Sequence, residues 1–496
     1  MHGIKKNIFG IHGGGNIGLG LLANVISDSP HEYQIIATSN NQFNASLINC
    51  NNRLWLKHQI SEEEQSTCIS NVKIISREAN DIIDIYTESI VAAICLTPSA
   101  LSDSAKDIAL GLINRYETSR KYLKILILMN LPNPAKFVLD MVSDQINLLT
   151  NDAALTEIIL SHVEFVPTVI DRVVTSIPKQ DIKSQLKSQI ERISPELLSQ
   201  HLEITDIDTI INDQDLLLQA VNIFELEFHL FCAEKSFSMY VPNHFTEAER
   251  FPLMTTTKNL NTIEAVKNKY INGPHAVLAW IGGFLGHTTI ADSIKHPELF
   301  QFIKEMMEYE IAPILIAEYP DLTSEDLIKL EKSFFERCAA SINDPVTRVG
   351  RDPLRKLDSG GRIRGTIELA RKHDLSIATP RLEKGIAAGL LYALHGVDPS
   401  NPGCKKIREI YNQNDSYQSV LCYSGDAPSG KFSGLHPEKD SQTIANVLNK
   451  MSELNRWKQK FRALARSFLW PIPGQHTGRN QNFEAANMNN SLTMKQ

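Results

Sequence analysis

Lys267, Asn272 and His275 fall within nine residues, immediately ahead of the apolar run 276–285. On a regular helix these positions lie at 0°, about 140° and about 80° around the axis, on one broad side. A side that carries three polar groups and leads into an apolar helix predicts a pocket rather than bulk water. The chemistry of the set is coherent. A lysine amine can take a proton, an amide can donate to a developing alkoxide, and an imidazole can orient or tune the lysine. Spacing alone also fits a solvated helix start with three unrelated polar residues, so a second motif has to decide.

That motif lies far upstream. Asn7–His12 reads as a short buried strand, followed by Gly13-Gly14-Gly15-Asn16-Ile17-Gly18-Leu19-Gly20 and an apolar helix over 21–26. This is G-x-G-x-x-G between a strand and a helix N-terminus, the context a dinucleotide requires. Gly13 permits the turn, Gly15 lets the backbone approach a pyrophosphate, and Gly18 lets helix and strand pack closely. A second strand is expected at Tyr33–Thr38, and its end reads Ser39-Asn40-Asn41. No acid stands there for a ribose 2′-hydroxyl, and the nearest arginine, Arg53, is not placed to invite a 2′-phosphate. The cofactor is therefore read as NAD with NADP left open, and its contacts as Gly13, Gly14, Gly15, Asn16, Ile17, Gly18, Ser39 and Thr97.

Further strand-like runs at 90–96, 124–129 and 163–166, with helix-like spacers, give the alternation of a doubly wound α/β sheet. After Ser176 the strands are expected to stop. Residues 179–215 are rich in Gln, Ser, Asp and Lys, lack a clear period, and read as an inserted linker or a polar, helical excursion. Helical patterns then dominate at 216–232, 276–290, 299–317, 325–340, 381–394 and 444–464, with a surface loop at 426–442. The expected organisation is a Rossmann domain over 1–178, the excursion over 179–215, a mostly α-helical substrate domain over 216–470 and a mobile tail over 471–496.

At 496 residues the chain is too long for a single core. A net charge of −7 provides no basic excess for phosphate backbones, so a nucleic-acid partner is not expected. The seven cysteines stand singly, without a CxxC pair, as reduced thiols of a cytoplasmic protein do, and they offer no metal site. No signal-like start and no apolar window of about 18 residues is present, so no membrane span is expected. A monomer or small homo-oligomer is expected.

Four segments together resemble the polyol-specific long-chain dehydrogenases, the mannitol dehydrogenase family. They are the glycine turn, Phe165-Val166-Pro167-Thr168-Val169-Ile170-Asp171-Arg172-Val173, the Lys267/Asn272/His275 set, and Arg348-Val349-Gly350-Arg351-Asp352-Pro353-Leu354-Arg355-Lys356-Leu357. The resemblance spans roughly 7–415 and is strongest to the phosphate-using members, which act on mannitol 1-phosphate. It implies metal-independent, nicotinamide-dependent interconversion of a sugar alcohol and a ketose, with the site between a Rossmann and an all-α domain. It makes Lys267 the general base, Asn272 a donor to the alkoxide, His275 a holder of Lys267 or of a substrate hydroxyl, and Asn130 the second amide donor. The pattern departs at Met129, where the family usually has an acid, and at Ile170 and Thr175. Asp171-Arg172 is expected to be an ion pair that ties the strand end to the helical domain.

Arg348, Arg351, Arg355 and Lys356 place four positive charges within nine residues of an acidic chain. The resemblance puts Arg348 and Lys356 where the wider family contacts the polyol, and Arg351 and Arg355 in the form seen in phosphate-using members. Guanidinium forks suit phosphate oxygens, so the expected small-molecule partner is a sugar-alcohol phosphate. The competing reading pairs these cations with Asp344, Asp352 and Asp358. A hexuronate would also suit the cluster, which makes a tagaturonate or fructuronate reductase the alternative. A catalytically silent nucleotide-binding protein is the other.

Overall fold

Six strands lie side by side in the order Val72–Ile75, Tyr33–Thr38, Asn7–His12, Val91–Ile94, Leu123–Ile127, Val163–Pro167, and every pairing is parallel. This computed structural model describes residues 7–468 apart from 60–64, 77–80, 131–132, 236, 341–343 and 429, so the expected tail at 471–496 lies outside the described residues. Counted along the chain, the strand order is 3-2-1-4-5-6, the doubly wound Rossmann arrangement. All four residues of Val91–Ile94 are buried, because helices cover both faces of a parallel sheet and its central strands become continuous apolar runs. The order reverses between Asn7–His12 and Val91–Ile94. A crevice therefore opens at their carboxyl ends, beside Gly13 and Cys95.

The expectation that strands stop after Ser176 is corrected. Arg53–Gln59 and Gln65–Ser70 form an antiparallel pair that joins His229–Glu234 and Val174–Ser176 in a four-stranded sheet. Ser238–Pro242 lies between Val169–Asp171 and Met254–Thr257. The segment expected as one helix over 216–232 divides into the helix Gln214–Ile223 and the strand His229–Glu234, with the chain turning at Glu225 (φ 48°). His229–Glu234 takes Arg53–Gln59 as its partner from more than 150 residues away, a pairing that no local pattern announces.

The polar excursion is not a linker. It holds the helices Lys179–Ile190, Pro195–Leu202 and Ile207–Asn212. Ile182, Leu186 and Ile190, spaced four apart, form a buried stripe in the same core as Phe9 and Ile11. That core continues to Met254, and the core of the helical half runs from Val266 to Leu454. The apolar interior thus divides between 254 and 266, beyond the boundaries expected at 178 and 215.

In the helical half, Asn272–Leu285, Ser324–Ala340, Pro380–Leu394 and Ser441–Phe468 appear where apolar periodicity predicts them. The expected loop at 426–442 begins instead in a hairpin of Ser424–Ala427 with Gly430–Ser433. Trp280 is fully buried, and its indole Nε1 donates to Gly350 O at 2.8 Å. That bond fixes the Lys-Asn-His segment against the basic segment. No helix among the described residues is long and apolar enough to cross a membrane.

Candidate active site

The glycine turn is shaped to leave one side open. Gly13 has φ +114°, and a Cβ on it would lie 2.6 Å from Cys95 O. Gly14 N donates to Thr38 O at 2.6 Å, and Gly13 N donates to Thr38 Oγ1 at 3.0 Å. A Cβ on Gly15 would meet nothing within 4 Å. The N–H groups of Gly15, Asn16 and Ile17 find no acceptor among the described residues. Unsatisfied amides ahead of a helix, beside a glycine that faces open space, fit a diphosphate. The helix that follows is not regular at its start: Gly18–Leu22 is π-helical and only Ala23–Ser27 is α.

The other cofactor candidates differ in what they do. Asn16 is engaged within the protein, its Nδ2 donating to Val174 O at 3.1 Å while Ser176 Oγ donates to its Oδ1 at 2.5 Å. Ser39 Oγ accepts from Asn41 N at 3.1 Å and borders a groove with Gln42, Ser46 and Asn49. The groove's lining carries no charged side chain. Thr97 caps the helix Pro98–Thr118 by accepting from Ala100 N at 3.3 Å.

The central residue sits where the two halves meet. Met129, Asn130, Pro167 and Thr168, from the carboxyl edge of the sheet, face Glu264, Lys267 and Asn268 across a narrow cleft. The structure thus brings Asn130 and Lys267 together from 137 positions apart. Lys267 lies in a π-helical turn, Val266–Ile271, inserted between the helices Leu260–Ala265 and Asn272–Leu285. The regular-helix angles expected for the triad are therefore displaced, and π-turns of this kind recur at functional sites. Lys267 keeps part of its surface open into the cleft, while dense protein around it desolvates the amine. Burial, aided by Arg362 and Arg337 and opposed by Asp171 and Glu264, brings its pKa down to about 8.

Asn272 opens its helix, and its side-chain amide has no partner among the described residues. Burial, then Arg348, Arg337, Lys356 and Arg362, pushes the His275 imidazole down to about 3, so the ring is neutral. His275 Nε2 is buried and makes no hydrogen bond among the described residues, and the ring lies perpendicular to that of Phe334 with centres 6.0 Å apart. No hydrogen bond joins His275 to Lys267.

The expected Asp171–Arg172 pair is not formed. Asp171 instead takes Arg337 Nη1 on both oxygens at 3.0 Å, and Arg337 also reaches Glu234 at 3.1 and 3.2 Å. Because Arg337 belongs to the helical half, the tie between the halves exists with a different cation. Arg172 is buried, its Nε donating to Glu234 O at 2.8 Å and its guanidinium lying 4.4 Å from the Phe237 ring centre. Arg337→Met strands two carboxylates. We expect it to cost about 1–3 kcal/mol in urea unfolding, a range already lowered for partial exposure. It should also raise the Lys267 pKa by removing a neighbouring positive charge. Unchanged unfolding would show that the clamp does not hold the halves together.

The basic segment is only partly free. Arg348 grips Asp344 with two bonds of 2.5 Å. Arg355 Nε donates to Asp352 Oδ2 at 2.8 Å, and its Nη1 donates to Asn130 O at 2.9 Å. Lys356 is buried, donates to Val349 O at 2.5 Å and lies 5.8 Å from the Trp280 ring centre. Asp358 serves backbone N–H groups instead of a cation. Two neighbours were missed in the sequence. Glu264 precedes Lys267 by three positions, and Arg362 follows the Gly360-Gly361 turn. A charged residue one helical turn from the lysine, and an arginine behind paired glycines, were the available signals.

A Rossmann sheet joined to a mostly helical half, with a half-buried lysine in the seam between them, is the plan of a two-domain oxidoreductase. Residues 9–200 match the family description "Mannitol dehydrogenase Rossmann domain" and residues 259–420 match "Mannitol dehydrogenase C-terminal domain". The chain belongs to the mannitol dehydrogenase family of polyol dehydrogenases. Its fold is similar to that of Pseudomonas fluorescens mannitol 2-dehydrogenase, solved as a ternary complex with NAD and D-mannitol. That match has TM-score 0.69 and 14% identity over 93% of this chain and 95% of that one. It is also similar to a D-sorbitol dehydrogenase solved in substrate-free form, with TM-score 0.64 and 15% identity over 92% and 95%.

Proposed function

We propose that this protein interconverts mannitol 1-phosphate and fructose 6-phosphate with NAD, and that Lys267 is the general base. The observation that carries the reading is a desolvated lysine, lowered to about 8, facing Asn130 across the cleft at the carboxyl edge of the sheet. The open glycine turn fits the pyrophosphate, and bound NAD supplies the hydride acceptor. Among the described residues, no charged side chain lines the groove at Ser39, which favours NAD over NADP.

Lys267 takes the hydroxyl proton onto Nζ as the carbinol carbon gives up its hydride, and returns it in the reverse direction. Asn272 and Asn130, whose side-chain amides have no partner among the described residues, donate to the oxygen as charge builds. Each is worth about 2–4 kcal/mol if preorganised. Neutral His275, with a buried unpartnered Nε2, holds a substrate hydroxyl. Free thiols at all seven cysteines suit a cytoplasmic setting.

The test is steady-state kinetics with fructose 6-phosphate, fructose, tagaturonate and fructuronate, each with NADH and NADPH. Fructose 6-phosphate with NADH should turn over far better than the rest. A hexuronate preference would replace the substrate, and binding of NADH without turnover of any of them would leave a nucleotide-binding protein. The pH dependence has a definite sign. The base must be uncharged to oxidise and charged to reduce, so polyol oxidation should rise through about pH 8 while ketose reduction falls. Profiles flat from pH 6 to 10 in both directions would remove Lys267 from the proton path.

A further inference from the structure

We propose that Arg362, assisted by Arg351, is the anchor for the anionic end of the substrate, and that Arg348 and Arg355 are scaffold. This rests on the reading above that the substrate carries a phosphate. It reassigns the anchoring role to a residue outside the nine-residue basic segment.

The argument starts from which cations already have partners. Arg348 is satisfied by Asp344, and Arg355 by Asp352 and the Asn130 carbonyl. Neither can turn its fork to a ligand without breaking a bond that shapes the site. Arg362 differs. It is 9% exposed, yet its guanidinium makes no hydrogen bond or ion pair among the described residues. The carboxylate whose charge reaches it, Asp352, is committed to Arg355. Arg351 is exposed and likewise without a partner among the described residues.

The placement suits a ligand lying along the cleft. The Arg362 carbonyl accepts from Thr366 Oγ1 at 3.0 Å, and a Cβ on Gly273 would lie 3.4 Å from it. Arg362 thus abuts the helix start between Asn272 and His275. Its charge is felt at Lys267, His275 and Lys356. Burial, then Arg355 and Arg351, lowers it to about 9, the condition of a cation missing its counterion. A buried, uncompensated guanidinium is costly in the free protein and is relieved by an anion that enters with the substrate. Three neighbouring arginines and a lysine make a multivalent phosphate the matching anion.

The experiment uses the full chain with NADH and compares kcat/KM for fructose 6-phosphate and fructose in wild type, Arg362→Gln, Arg362→Lys and Arg351→Gln. Arg362→Gln should lose about 100-fold on fructose 6-phosphate, mostly through KM, and at least tenfold less than that on fructose. Arg362→Lys should recover part of the loss, and Arg351→Gln should show a smaller one. Inorganic phosphate should raise the melting temperature of wild type and not of Arg362→Gln. Without phosphate, Arg362→Gln should melt no lower than wild type, because it removes a buried charge. If wild type prefers the phosphorylated ketose and Arg362→Gln keeps that preference, the anchor assignment is wrong while the proposed function stands. If wild type treats the two ketoses alike, both fall. Should Arg362→Gln not fold, an undiminished phosphate-induced rise and ketose preference in Arg362→Lys and Arg351→Gln together would overturn the assignment. Their reduction would support it.

Discussion

Replacing Lys267 by methionine should lower polyol oxidation and ketose reduction by about 10²–10⁴-fold, the range for loss of a positioned acid–base group. Methionine keeps much of the apolar stem and occupies a similar volume, so the π-turn and the cleft wall remain filled. The fold should not suffer. The same desolvation that holds the amine at about 8 is a cost of keeping a charge there, and the variant is relieved of it. Melting temperature should therefore hold or rise, and NADH fluorescence titration should match wild type. Activity within tenfold of wild type would mean that another group carries the proton. Loss of NADH binding would mean that the residue organises the seam instead.

Gly18→Val should abolish useful cofactor binding for a purely steric reason. A Cβ at Gly18 would lie 2.1 Å from Gly13 O and 2.8 Å from Ile11 Cγ2. The carbonyl is backbone of the turn itself and cannot rotate away. We expect NADH affinity to fall at least tenfold to a hundredfold, with a loss of about 1–3 kcal/mol of stability. Gly15→Ala is the informative contrast. Its Cβ would touch nothing in the protein, so stability should stay level while NADH binding weakens, because the new methyl projects to the side left open for the diphosphate. Wild-type affinity in Gly15→Ala would place the diphosphate elsewhere.

What the sequence disclosed followed from whether a constraint was local. The glycine turn was legible because the close approaches at Gly13 and Gly18 admit no other side chain. The central parallel strands were legible as short apolar runs. The Lys-Asn-His set was found, but its geometry was not, since an i→i+5 turn leaves no mark in residue types. His229–Glu234 was missed because its central partner, Arg53–Gln59, lies far upstream, whereas Arg53–Gln59 and Ser238–Pro242 also have nearby partners and were simply overlooked. The excursion at 179–215 was left open between linker and helix because polar residues outnumber the buried stripe of Ile182, Leu186 and Ile190. The basic segment was visible as charge, but no spacing reveals which cations are already bonded. Only coordinates separate Arg348 from Arg362.

Among the described residues, the cores of the first half end at Met254 and the core of the helical half begins at Val266, and the backbone crosses from one half to the other between them. One covalent strand therefore serves as the pivot, and swivelling one half against the other drags no second connection. The gap that admits a polyol is set by noncovalent catches, Arg337 on Asp171 and Glu234 and Arg355 on Asn130. Opening to release product would break these polar contacts while both interiors stay packed.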